Sequence, residues 1–195
     1  MAEKTANATT RSDAPRGRQQ RSSRRDERRN KRDRDDAPKE FEEVVINIDR
    51  VARVVKGGRR FRFKALVVVG NRKDKVGVGV AKGQDVQTAI SKATDVAKKN
   101  LIIIPLYKDT IPHDSETRIS GAHVLIKPAA PGTGIIAGGV IRQIIGVTGI
   151  RNMLSKSLGS TNKVNIAYAT IKALGSLVPR DQWVGVEKKS KRGTK

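Results

Sequence analysis

Residues 55–83, VKGGRRFRFKALVVVGNRKDKVGVGVAKG, hold two strands and the two turns that order them. Lys56-Gly57-Gly58-Arg59 is a turn, because two adjacent glycines can take the positive φ that a tight reversal needs. From there residues alternate. Arg60, Arg62 and Lys64 fall on one face, while Phe61, Phe63 and Ala65 fall on the other. Asn71 to Lys75 (NRKDK) forms a second turn, and VGVGVAKG follows as a strand. Val76, Val78 and Val80 share one of its faces, Gly77, Gly79 and Ala81 the other.

Upstream, residues 43–55 (EVVINIDRVARVV) are rich in β-branched side chains and read as a first strand. Downstream, Asp85 is placed as an N-cap. Val86, Ala89, Ile90, Ala93, Val96 and Ala97 then recur at helical spacing, with Lys98 and Lys99 complementing the dipole in the last turn. The spacing therefore predicts β-β-β-α, a twisted antiparallel sheet covered on one face by a helix. The next stretch, LIIIPLYKDTIP at 101–112, reads as a connection carrying an apolar strand.

A second unit follows. RISGAHVLI (118–126) contains a strand, with Gly121 marking a hairpin or bulge. PAAPGTGIIAGG (128–139) is a Gly/Pro-rich loop entering a short helix over about 137–145, and RNMLSKSL (151–158) is another strand. A helix capped by Thr161 or Asn162 comes next, its stripe formed by Val164, Ala167, Tyr168, Ile171 and Leu174. The fold class is α+β: a β-β-β-α domain over 41–104 followed by an α/β domain over 105–185. Flanking these, residues 1–40 are expected to form a disordered Arg-rich extension, and 186–195 a basic tail.

Charge narrows the function. Forty-one Lys and Arg against nineteen Asp and Glu give +22 and a sequence pI near 10.9. Residues 1–38 hold twelve basic and seven acidic side chains, a net of +5, so the remaining +17 belongs to residues 39–195. The polyanion partner that such an excess calls for is thus met mainly by the folded part. The N-terminus is polar and no apolar run reaches membrane-spanning length, so neither a signal peptide nor a membrane anchor is expected. With no cysteine there are no disulfides and no thiolate metal sites.

Enzyme readings fare badly. His113 and His123, the two histidines, are expected in a loop and a strand rather than as ligands. Glu40, Glu42 and Glu43 form the densest acidic group, expected to be solvated at a domain edge. No Ser or Thr is matched to a base, and no cofactor or metal site is expected. PGTGIIAGG lacks the Gly-Lys-Ser/Thr ending of a nucleotide cradle and misses GxGxxG spacing. A tight turn at a protein–protein contact is its favoured use, although its helix N-terminus could take an anion.

The candidate RNA-binding set is the first hairpin, Arg50, Arg53, Lys56, Gly57, Gly58, Arg59, Arg60, Arg62 and Lys64. Arg72, Lys73 and Lys75 form a second basic turn that could act alongside it. Gly77 and Gly79 have two readings: a flat strip for an RNA backbone, or room for a helix to pack closely on the sheet.

In order and spacing, VKGGRRFRFKALVVVGN, VGVGVAKG, KPAAPGTGIIAGG and GSTNKVNIAYATIKAL resemble the bacterial-type ribosomal protein S five (S5) family, over about residues 41–185. The resemblance implies a first domain similar to double-stranded-RNA-binding folds but lacking their first helix, and a second α/β domain of the kind named after this family. It implies a non-enzymatic constituent of the small subunit of the cytoplasmic ribosome that binds 16S rRNA and contacts ribosomal proteins S four and S eight. Its place is near the channel where messenger RNA enters, and the family supports subunit assembly and translational accuracy. Val51 to Arg59 match the segment beside the spectinomycin site, within which Lys56, Gly57 and Gly58 turn toward rRNA. Gly134 and Arg142, with Gly132 in the same loop, match the contact with S four. Ala52 and Arg53 stand where many relatives differ, and the Arg-rich extension exceeds that of typical members, so nothing transfers to it. The competing classes are a free RNA chaperone and an RNA-processing enzyme with a small binding module.

Overall fold

The computed structural model describes residues 41–183; the predicted N-terminal extension and basic C-terminal tail lie outside the described residues. Strands β1 (Glu42–Val55), β2 (Gly58–Gly70), β3 (Lys75–Gly83) and β4 (Leu101–Ile103) form an antiparallel sheet in the order β1-β2-β3-β4. Helix α1 (Val86–Lys99) sits between β3 and β4 in sequence. The connection at 101–112 carries an apolar strand, as the sequence predicts, and it is the fourth of this sheet. Leu101 pairs with Gly77, so α1 returns the chain to the edge it left.

Alternation sorts the sheet into two apolar faces. Ala65, Val67 and Val69 pack with Ala89, Ala93 and Ala97 of α1. Leu66, Val68, Val76 and Val78 point the other way, into a larger core shared with the second half of the chain. Glycines decide how closely α1 approaches. A methyl group built on Gly79 would lie 2.0 Å from the Ala93 carbonyl oxygen, and one on Gly77 would lie 2.3 Å from that of Ala97. The Gly77–Gly79 strip is therefore filled by the helix backbone. Close packing is its use, and the RNA-strip reading falls.

The second sheet runs β5 (Ser115–Ile119), β6 (Ala122–Pro128), β8 (Met153–Ser157), β7 (Ile135–Ile136), with β7 parallel to β8. β5 and β6 are antiparallel and joined by a tight turn at Ser120-Gly121, so the hairpin alternative for Gly121 holds. Helices α2 (Gly139–Gly146) and α3 (Lys163–Gly175) belong to this half, and Asn162 caps α3 by accepting from the Val164 N–H at 3.1 Å.

Helix α3 corrects the predicted stripe. Its buried residues are Ile166, Ala167, Ala169, Thr170, Ala173 and Leu174, whereas Tyr168 is exposed. The helix touches β5 and β6 on one side and β3 and β4 on the other, so it is covered from two directions and its apolar arc is wider than one stripe. The layers run α1, first sheet, α2 with α3, second sheet.

Candidate nucleic-acid interface

β2 outruns β3. Their pairing stops at Phe63 with Gly83, while β1 and β2 continue together to Val55 and Gly58. Residues 50–62 therefore form a two-stranded ribbon whose edges are unpaired among the described residues, reaching about 17 Å beyond the sheet at ordinary strand rise. Gly57 (φ +92°) and Gly58 (φ +155°) close its tip, as the glycine pair predicts.

A bulge determines which arginine faces which way. Val45 pairs with Val67 and Asn47 with Leu66, so Ile46 is an extra residue in β1 and the alternation changes phase there. Beyond it, the odd-numbered residues Asp49, Val51 and Arg53 lie on the face of Arg60, Arg62 and Lys64. Arg50, Ala52 and Val54 lie on the face of Arg59 and Phe61. Lys82 joins the first face, because it pairs with Lys64 across β2 and β3.

Arg53, Arg60, Arg62 and Lys82, with Val51 and Val55 as floor, line a depression of about 430 Å³. Among the described residues none of these four cations is ion-paired with a carboxylate, nor are Lys56 and Arg59 at the tip. Lys82 was missed by sequence reading. Its phase relative to Val78 and Val80 placed it on the right face, but only the β2–β3 register brings it beside Arg62.

Two candidates are already engaged. Lys64 Nζ lies 2.7 Å from Asp49 Oδ2, and that hydrogen bond holds the Asp49 carboxyl below the usual aspartate range. Arg72 grips Glu42 with two nitrogens, Nη2 at 2.7 Å from Oε1 and Nε on Oε2, holding the Glu42 carboxyl low for the same reason. Glu43 pairs with Lys98 at 3.0 Å and accepts from Thr94 Oγ1. Glu42 and Glu43 remain solvent-accessible, as expected, and in addition each pairs with a cation of the first domain; Glu40 lies outside the described residues.

The second basic turn stands apart. Asn71 Oδ1 accepts from the N–H groups of Lys73, Asp74 and Lys75, and the Arg72 N–H donates to Val147 O at 2.9 Å. It docks on the loop after α2, at the far end of β2 from Lys56. Thirteen residues of strand separate the two turns, about 40 Å. The fold therefore does not bring Arg72, Lys73 and Lys75 beside the ribbon.

In the glycine loop, Gly132 (φ +90°) and Gly134 (φ +74°) both donate their N–H to Asn152 Oδ1, at 3.1 and 3.0 Å. With the amides of Gly132 and Gly134 turned inward onto a buried side chain, this part of the loop is a tight turn. Arg142 is exposed one turn into α2. Replacing Asn152 by Ala leaves both amides without that acceptor and should cost about 2 kcal/mol. Denaturant unfolding would register the loss, and amide exchange at Gly132 and Gly134 should accelerate.

The histidines are placed locally. His113 Nε2 accepts from the Val178 N–H at 2.9 Å, and His123 pairs with Glu116 across β5 and β6.

Comparison with known proteins agrees with this architecture. Residues 41–105 match the family model "Ribosomal protein S5, N-terminal domain", and 117–183 match "Ribosomal protein S5, C-terminal domain". The chain is 54% identical over 138 residues to the small ribosomal subunit protein uS5 of Campylobacter jejuni strain 81-176, covering 71% of this chain and 94% of that one. It is 52% identical over 139 residues to uS5 of Pseudothermotoga lettingae, covering 71% of this chain and 78% of that one.

Proposed function

The chain belongs to the ribosomal protein S5 family, a structural and non-enzymatic constituent of the small ribosomal subunit, and from that premise we propose that it anchors 16S rRNA through the ribbon at 50–62. One observation carries the reading: among the described residues six cations, Arg53, Lys56, Arg59, Arg60, Arg62 and Lys82, have no carboxylate partner and stand on or beside a projection with unpaired edges. Unpaired cations meet phosphates without first giving up an internal ion pair.

The glycine turn with Arg142 serves a neighbouring protein, S four by the family's pattern, and S eight is the other expected neighbour. Turned-in amides and an exposed arginine suit a protein contact better than an anion. Assembly of the subunit and translational accuracy near the path of messenger RNA follow from those contacts, within the cytoplasmic ribosome. The division into 41–104 and 105–185 is part of the same proposal.

Lys56 and Arg59 test the tip. Replacing both by Ala should lower affinity for a 16S rRNA transcript and flatten the log–log salt dependence by about one unit per lost phosphate contact. An unchanged slope would show that the tip touches no phosphate.

A further inference from the structure

The ribbon's second face carries a different chemistry. The Arg50 guanidinium carbon lies 3.9 Å from the centroid of the Phe61 ring. Both side chains are exposed, Phe61 at 49%, because the ribbon has passed the end of β3 and neither belongs to the apolar cluster beneath α1. The bulge at Ile46 creates the pair. It puts Arg50 opposite Phe63, one diagonal step from Phe61, and leaves Arg53 on the other face with Arg60 and Arg62.

We propose that Arg50 and Phe61 form a stacking platform for one unpaired nucleobase of the RNA, lying on the outer plane of the Arg50 guanidinium. This rests on the rRNA-binding reading above and deepens it. A guanidinium laid over an aromatic ring is fixed in orientation and partly desolvated, yet its opposite plane stays open. Every base offers a π-face, but in a duplex both faces are already stacked, so the partner must be an unstacked nucleotide in a loop, bulge or end. Phosphate groups would be met on the side of Arg53, Arg60, Arg62 and Lys82. The ribbon would then sit between a backbone and a splayed base, using its two faces for two parts of the same RNA.

The diagnostic substitution is Arg50→Lys, which keeps the positive charge and removes the plane. With full-length protein and a 16S rRNA transcript, affinity should fall roughly tenfold at an unchanged salt slope, within the range that loss of one base stack produces. Phe61→Leu should give a similar loss, while Phe61→Trp should bind like the native chain. On a blunt-ended duplex RNA, Arg50→Lys should change nothing. Native-like binding of Arg50→Lys to the transcript overturns the platform. So does an equal loss on the duplex, which would make Arg50 a phosphate ligand. Either result leaves the Lys56 and Arg59 slope test standing, so failure of the platform is distinguishable from failure of rRNA binding by the ribbon.

Discussion

Gly79→Ala should destabilise the RNA-free protein by about 3 kcal/mol, at the upper end of what overpacking costs. The added methyl would sit 2.0 Å from the Ala93 carbonyl oxygen and 2.6 Å from the Ala97 nitrogen. Both are backbone atoms of α1, so no rotamer change relieves the clash; the helix must lift from the sheet. Lifting it opens the small cluster of Ala65, Val67 and Val69 against Ala89, Ala93 and Ala97. The buried members of this cluster are small and aliphatic, with Phe41, Phe63 and Ile90 only partly buried against it, so separation costs close contacts throughout. A loss of that size is a large part of the net stability of a domain. Gly139→Ala is the control: its methyl would meet nothing within 4 Å at the first position of α2, and it should be neutral or stabilising by about 0.5 kcal/mol. Chemical denaturation of the three proteins reads the result. A Gly79→Ala chain as stable as the native one, with weakened RNA binding, would restore the strip to RNA.

The second large effect lies on the ribbon. Replacing Arg53, Arg60, Arg62 and Lys82 together by Ala should flatten the salt dependence of 16S rRNA binding by about 3 units, given 0.7 to 0.9 per phosphate contact. Between 50 and 200 mM salt the native protein should then lose roughly sixty-fold more affinity than the variant. The unfolding midpoint should scarcely move, because these four are exposed and lack carboxylate partners among the described residues. As a comparison, Arg72→Ala should leave the slope nearly intact and instead release Glu42 from its clamp. The Glu42 carboxyl is held low when folded, so its contribution is present above the ordinary glutamate range and fades as pH falls through the lowered value. Removing Arg72 should therefore reduce the acid dependence of stability. Filter binding across a salt series separates the two classes of cation.

Much of this molecule was legible in its sequence because the deciding signals are local. Two glycines at 57–58, set between alternating segments, permit the positive φ of a tight reversal at little cost. Alternating Arg60, Phe61, Arg62 and Phe63 can only put two chemistries on two faces of a strand. Asp85 before an Ala-rich periodic stretch starts a helix, and Asn162 caps the last one. The positive excess of the folded part was also legible: residues 41–183 hold twenty-three basic and ten acidic side chains, a net of +13.

Other features depend on what lies opposite in space. Tyr168 sits on the predicted stripe, yet it is exposed, because α3 is buried between two sheets and its buried arc is set by both. Arg72 and Lys73 match the first turn in composition, but β2 is long enough to carry them to the other end of the sheet. Most consequential is Ile46. Plain alternation through 43–55 would keep Arg50 in phase with Val44, whereas pairing with β2 absorbs one extra residue and reverses the phase. The sequence by itself determined that the strands, the turn and the cations exist. Only the tertiary structure decided that Arg53 joins Arg60 and Arg62 while Arg50 lies on Phe61, because strand phase is fixed by a partner's hydrogen bonds and not by a strand's own residues.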